Sequence, residues 1–267
     1  MRKIAVVTTF HANGLNQYAQ RMIDSFIATW PSEITLYVYP ENCQPVISDP
    51  RIINIDLNTV NNLTAFKEKW KNIPKANGDI TKESMLNQRK DSKKQFKWDA
   101  VRFAHKVYAI FDCAVKTDAD VLIWMDADTI CHSAITMDDI NRLIPTNKDL
   151  CFLGRKGKFS ECGLYAMNLK SKNIQVFLQE FQKMYDNAEN GIFKLIEWHD
   201  SFVFDHVRKA VKLNELDWSS HLITGEGHPL INSDWGAYLD HLKGDRKTLG
   251  RSKLSDLKIK RTEAYWK

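Results

Sequence analysis

Two hydrophobic periods alternate along the first sixty residues. Lys3–Phe10 (KIAVVTTF) is rich in β-branched and aromatic residues, which predicts a strand beginning almost at the first residue. After Asn13-Gly14, the apolar positions Leu15, Tyr18, Ala19, Met22, Ile23, Phe26, Ile27 and Trp30 fall at helical spacing, and Pro31 stops the run. Ile34–Pro40 and Arg51–Leu57 read as further strands. The order β-α-β-β predicts an α/β sheet with a nucleotide-sized crevice. Asn58–Lys97 shows neither period and carries Pro74 and Asn77-Gly78, so it reads as a mobile lid or a pair of short surface helices. Helical spacing returns over Trp98–Val115. Val121–Met125 is apolar throughout and predicts a buried strand. Leu150–Leu153 and Gly163–Leu169 read as strands, Ile174–Tyr185 and Asp200–Ala210 as helices. With no repeat, low-complexity tract or linker, residues 1–267 are expected to form one domain.

Composition narrows the class. The 267 residues are 43% hydrophobic and 27% charged, the balance of an ordinary globular chain with a sizeable core. No apolar run approaches the roughly 18 residues that span a bilayer, so no transmembrane segment is expected, and the N-terminal apolar run is too short for a signal peptide. Five cysteines without CxxC spacing argue against a disulfide framework or zinc ribbon. They favour a reducing, cytoplasmic setting. The net charge of +5 is unevenly spread: Phe66–Lys97 and His241–Lys267 each carry +6, which leaves −7 for the remainder. Two basic segments on an acidic body suit a polyanionic ligand, or two solvated faces.

The chemistry concentrates in Lys116–Ile130 (KTDADVLIWMDADTI), where Asp-Ala-Asp occurs twice. Five strand residues at about 3.3 Å each hold the two pairs about 17 Å apart, so they cannot share an ion. In open α/β sheets, ligands bind beyond the carboxyl ends of the strands. Asp118 and Asp120 precede the strand and are expected to turn the chain from helix to strand. Asp126 and Asp128 follow it, on the ligand side. Two carboxylates at i and i+2 where a strand leaves the pleat can face one cavity, and hard oxygen ligands select Mg²⁺ or Mn²⁺.

A second pattern, His-x-x-Gly-x-x-Lys in His241–Lys247 (HLKGDRK), joins it. Together the two motifs resemble metal-dependent glycosyltransferases of the GT-A fold, and among them the glycogenin and galactosyltransferase-like family 8. The resemblance implies a Rossmann-like mixed sheet flanked by helices, a nucleotide-diphosphate-sugar donor (a UDP-sugar first) and a hexosyltransferase activity. It also implies that Asp126, Asp128 and His241 coordinate the ion, that Gly244 lets the backbone approach the diphosphate, and that Lys247 neutralises it. Thr248-Leu249 stands where the family has Pro-Trp. Thr8 and Phe10, ending the first strand, resemble the contact to the base. Asp56 resembles the acid that accepts from base or ribose. Arg102 and Lys106, at i and i+4 on one helix, resemble the residues that lean on ribose and phosphates. Glu161-Cys162-Gly163 is similar to the family's Asn-x-Gly segment, and Trp198–Asp205 (WHDSFVFD) to its acceptor segment. The chain is expected to form a single GT-A domain with a basic insertion at about 58–97 and a C-terminal tail at about 241–267 that closes on the donor site.

In such an enzyme the metal and Lys247 stabilise the leaving diphosphate. An inverting mechanism needs a carboxylate base at the acceptor hydroxyl, for which Asp200 and Glu161 are the candidates. Trp198, Trp218 and Trp235 are candidates to stack on a sugar. The acceptor stays open between a glycan, lipopolysaccharide core sugars and a modified DNA base. Two other classes compete: a nucleotidyltransferase, which should show a Gly-rich basic phosphate loop that TTFHANG lacks, and a non-catalytic nucleotide-sugar or nucleic-acid-binding protein. A haloacid-dehalogenase-type phosphatase fits less well, because its Asp-x-Asp belongs near the N-terminus.

Overall fold

A computed structural model describes residues 2–80, 95–222 and 228–267. Strand β1 (Ile4–His11) runs into a helical segment whose first turns are wound wider, a π-helical stretch at Leu15–Ala19, before α1 (Gln20–Thr29). Then follow β2 (Thr35–Glu41), β3 (Ile52–Asn54), α2 (Asn61–Trp70), α3 (Ala100–Lys116), β4 (Val121–Met125), β5 (Thr129–Cys131), α4 (Met137–Leu143), β6 (Leu150–Leu153), β7 (Glu161–Asn168), α5 (Lys172–Asp186), α6 (Asp200–Ala210), β8 (Glu215–Asp217) and β9 (Leu239–His241).

Seven strands form one mixed sheet in the order β3-β2-β1-β4-β7-β6-β8. The first four are parallel; β7 runs antiparallel to both β4 and β6. Alternation along each strand feeds two cores. Ala5, Val7, Leu122 and Trp124 face α2, α3, α5 and α6, while Ile4, Val6, Val121, Ile123 and Met125 face α1 and α4. The strand order reverses direction between β1 and β4, so their carboxyl ends splay apart and open a crevice there. A second, two-stranded sheet pairs β5 with β9 antiparallel, setting Thr129 opposite His241.

The expected helices and buried strands occur at nearly their expected bounds. The strand expected over Arg51–Leu57 is shorter: it ends at Asn54, and Asp56 instead caps a single 3₁₀ turn by accepting from the Asn58 backbone N–H at 3.0 Å. Of the 58–97 segment, Asn61–Trp70 is a helix that buries Leu63, Phe66 and Trp70 in the core. Residues 81–94, on which the reading of a lid largely rests, lie outside the described residues. No helix among the described residues is long and apolar enough to cross a membrane.

Candidate metal centre and nucleotide cleft

The two Asp-Ala-Asp triplets have separate surroundings. Asp118 is exposed and pairs with Lys3 Nζ at 2.5 Å, while Asp120 accepts from the Lys3 backbone N–H at 2.8 Å. This pair ties the start of β1 to the start of β4, at the amino ends of the strands.

Asp126 and Asp128 leave the carboxyl end of β4. The Asp126 N–H donates to Gly163 O at 2.9 Å, and its Oδ1 accepts from the indole of Trp124 at 2.7 Å. These bonds turn its carboxylate away from the pleat. His241 arrives by the β5–β9 pairing, and the Leu242 N–H donates to Asp128 O at 2.8 Å. His241 Nε2 then lies 3.1 Å from Asp128 Oδ1 and 3.5 Å from Asp126 Oδ2. One ligand atom from each of the three residues falls within 4.8 Å of the others.

This donor set fits a divalent ion: two carboxylates and one imidazole. If Nε2 serves an ion, the ring's proton must sit on Nδ1. That atom is buried without a hydrogen bond among the described residues, and the nearest carboxylate, Glu161 Oε1, is 3.8 Å away. An acid on the far side of a ligating imidazole is the arrangement that orients such a ring. Gly163 makes room for it, because a Cβ there would come within 2.4 Å of His241 Cε1. His228 Nε2 meets the His241 carbonyl oxygen at 2.5 Å and holds the backbone from behind.

Asp128 and Glu161 are held ionised. Burial pushes the Asp128 carboxyl up, but the charges of His241 and Lys247 outweigh it and leave it well below the usual carboxylate range. Lys247 Nζ is 2.9 Å from Asp128 Oδ2 and stacks over the Tyr18 ring at 4.6 Å. Burial alone would lower His241; Asp128 beside it raises it above an ordinary histidine. Glu161, pushed up by burial but held by Lys243 and His241, falls to about 2.

Lys106 is the centre of a second cluster. Its ammonium, buried in the core face of α3, contacts Asp200 Oδ2 at 2.8 Å, Asp126 Oδ1 at 3.2 Å and the carbonyl of Cys162. An ammonium has three donors, and these three acceptors use them all. Burial works against the charge, yet Asp126 and Asp200 raise Lys106 well above an ordinary lysine. Asp200, pushed up by burial, is pulled below the usual range by Lys106.

Two cavities meet here. A cleft of about 440 Å³ is lined by Thr9, Phe10, Tyr18, Arg102, Asp128 and Lys247 among others. A larger cavity of about 1490 Å³ lies beyond, and Phe103, Asp126 and Asp200 border both.

Of the residues singled out from sequence, Asp126, Asp128, His241, Lys247, Lys106, Asp200 and Glu161 come together. Phe10 and Arg102 line the small cleft. Gly244 lies exposed in the loop between His241 and Lys247, with φ of 60°, a left-handed conformation that suits glycine. Two residues are elsewhere. Thr8 is fully buried, and strand alternation puts Thr9 in the cleft wall. Asp56 is an exposed turn cap, and Glu41 at the end of β2 is the acid in the wall instead, bound by His105 Nε2 at 3.1 Å and by Lys67. Trp198, Trp218 and Trp235 are buried core residues; the aromatics in the cavity wall are Phe96, Phe103, Phe152 and Phe159. Glu41, Tyr18, Lys243 and His228 join the site without having been among the residues expected there from sequence. Glu41 carried one usable signal, its position at the carboxyl end of the predicted second strand.

Neither a protein-family model nor a curated protein matches the chain. Among solved structures, the glycosyltransferase GlyE of Streptococcus pneumoniae TIGR4 aligns with a TM-score of 0.44 and 11% identity, over 81% of this chain and 45% of its own length. The bifunctional glycosyltransferase WbbM gives a TM-score of 0.46 and 9% identity, over 82% and 39%. Mouse xyloside xylosyltransferase 1 gives 0.40 and 10%, over 77% and 82%. The chain thus spans less than half the length of the first two. Likeness at this level carries no argument about activity, which rests on the geometry of the site.

Proposed function

We propose that this chain is a metal-dependent glycosyltransferase of GT-A type. It would transfer a hexose from a nucleotide-diphosphate sugar, a UDP-sugar first, to the hydroxyl of a glycan acceptor. The observation that carries this reading is the carboxylate–imidazole trio of Asp126, Asp128 and His241, with Lys247 beside it and with Asp126 bordering both cavities. Phosphoryl-transfer and nucleotide-binding proteins also need a metal and a cation. A second, larger cavity that shares Asp126, Asp200 and Phe103 with the first is what a two-substrate transfer requires.

Asp126, Asp128 and His241 would hold Mn²⁺ or Mg²⁺. Such an ion supplies Lewis-acid stabilisation of charge on a leaving diphosphate. Lys247, released from Asp128, pairs with the phosphates. Thr9, Phe10, Arg102 and the Glu41–His105 pair border the nucleoside end of the cleft. Lys106 holds Asp126 and Asp200 in fixed positions rather than binding phosphate, since its donors are already used. Asp200 and Glu161 lie where an acceptor hydroxyl would approach. Both are held at depressed pKa by neighbouring cations, Asp200 by buried Lys106 and Glu161 by partly exposed Lys243 together with His241, which makes them weak proton acceptors and better suited to orienting the hydroxyl. That favours retention of anomeric configuration.

The test is a screen of nucleotide-sugars for Mn²⁺-dependent hydrolysis and thermal stabilisation. The reading expects one nucleotide-sugar to raise Tm only with the metal present, and to release its nucleoside diphosphate. Release of pyrophosphate from nucleoside triphosphates instead would establish the nucleotidyltransferase. Binding without hydrolysis or transfer would establish a binding protein.

A further inference from the structure

The large cavity has its own electrostatic design, and this inference about the acceptor rests on the glycosyltransferase reading above. Among the described residues, its carboxylates are engaged from within the protein. Asp205 accepts from Ser160 Oγ at 2.6 Å and from Arg208 at 3.1 Å. Glu197 is held by Lys97 at 2.6 Å and faces His199 Nε2 at 2.9 Å. Asp217 accepts from the Gly154 N–H at 2.8 Å and from Ser219. Glu161 and Asp200 are matched by Lys243 and Lys106.

Two cations of the wall are left over. Lys156 and Lys209 are exposed and make no ion pair among the described residues. Lys156 is not on a loose loop. Arg155 Nε donates to Phe159 O at 2.6 Å, the Lys158 N–H returns to Arg155 O at 3.1 Å, and Ser160 is bound twice by buried Asp205. The turn at Gly157, with φ of 72°, is therefore fixed at both ends and presents Lys156 at the cavity. Lys209 comes from α6, the helix that starts at Asp200. Phe96, Phe103, Phe152 and Phe159 line the same cavity, with Phe159 against His199 at 5.5 Å.

We propose that the acceptor is an anionic glycan: an oligosaccharide bearing phosphate, sulfate or carboxylate. Its reacting hydroxyl reaches the junction at Asp126 and Asp200, its apolar sugar faces lie on the phenylalanines, and its charged group meets Lys156 and Lys209. The cavity, about 1490 Å³, exceeds the roughly 300–1,000 Å³ of small-molecule pockets, which suits more than one sugar ring. A neutral acceptor would leave the ammonium groups of Lys156 and Lys209 without a counter-charge in the cavity. Asp217 keeps its charge unbalanced, since its partners are the neutral Gly154 N–H and Ser219 hydroxyl, while each of the other described carboxylates of the wall faces a cation.

The test is calorimetric titration of the full chain, loaded with Mn²⁺ and nucleoside diphosphate. The probes are a heparin-derived tetrasaccharide, neutral cellotetraose and a thymidine tetranucleotide. The sulfated glycan should bind at least about ten-fold tighter than cellotetraose, and its affinity should fall as salt rises. The Lys156→Glu/Lys209→Glu variant should lose about ten-fold for the sulfated glycan while keeping the Mn²⁺–nucleoside diphosphate affinity of wild type, which also reports that it is folded. Equal affinity for the two glycans overturns the proposal. So does unchanged glycan affinity in the variant, which would place the recognition on other basic residues, and so does a clear preference for the oligonucleotide. Failure of wild type to bind any Mn²⁺–nucleoside diphosphate would sink the enzyme reading instead, in a separate titration.

Discussion

Replacing Lys106 with methionine keeps the length of the side chain and removes its charge. In the native protein that charge is buried and stands 2.8 Å from Asp200 and 3.2 Å from Asp126. Removing one member of a buried ion pair costs about 3–5 kcal/mol, because the partner is left charged in a poor solvent. Asp200, with a side chain only 14% exposed, carries most of this; Asp126, at 30%, is partly relieved by water. For a chain of this size each kcal/mol moves Tm by about 2–4 °C, so Lys106→Met should melt roughly 10 °C lower at pH 7. The pH dependence carries the diagnosis. In wild type, Asp200 has a depressed pKa, so its contribution is present above the ordinary carboxylate range and is lost as pH falls through the depressed value. In the variant, burial, the largest influence on Asp200, is opposed only by the weaker pull of His199 and the Ser201 N–H, and should lift Asp200 above its unfolded value. The folded variant then takes up a proton as pH falls, and its deficit against wild type narrows from pH 7 to pH 5. Lys106 itself is raised, so its contribution stays complete below the ordinary lysine range and does not blur this window. Urea denaturation at both pH values measures the difference, and adding Asp200→Asn to Lys106→Met should recover much of it. A loss under about 1 kcal/mol at pH 7, or a deficit that widens toward pH 5, would refute the reasoning.

Three further outcomes are expected. Asp128→Asn should abolish Mn²⁺ binding and metal-dependent turnover, whereas Asp118→Asn, an exposed acid at the opposite strand end, should leave kcat nearly unchanged; calorimetry and steady-state kinetics compare them. Mn²⁺ must displace the proton that Asp128 favours on His241, so Mn²⁺ affinity should fall as pH drops from 8 to 6, and His241→Ala should be weaker at pH 8 yet lose much of that slope. Gly163→Ala would put a Cβ within 2.5 Å of His241 Nδ1, so it should reduce Mn²⁺ affinity by ten-fold or more, while circular dichroism reports a retained fold.

Elements with one dominant period were legible in the sequence. Val121–Met125 is apolar at every position because both faces of β4 are covered, and its bounds follow from the aspartates at either end. The choice between the two Asp-Ala-Asp triplets was also legible, since strand polarity alone assigns them to opposite edges. Thr8 and Asp56 mark where this reasoning stopped. One residue of register separates Thr8 from Thr9, and a strand end gives no signal for its last inward side chain. Asp56 follows a strand that stops early, because the Asp-x-Asn turn offers the backbone a local alternative to pairing. Lys106 shows a different limit. Spacing put it on a basic helix face with Arg102, but its surroundings come from β7 and α6, up to 94 residues away.

The pairing of β5 with β9 gives the metal centre a history during synthesis. Asp126 and Asp128 leave the ribosome about 110 residues before His241 and Lys247. At about 5–20 residues per second, that interval lasts roughly 5–25 s. Throughout it the nascent chain carries an acidic pair without the imidazole and the ammonium that later balance it. The strand at Leu239–His241 and the Lys247 turn beyond it are made last, so the cluster can be complete only after they emerge. Pairing with Thr129–Cys131 then sets His241 beside the acidic pair and completes the candidate three-ligand cluster.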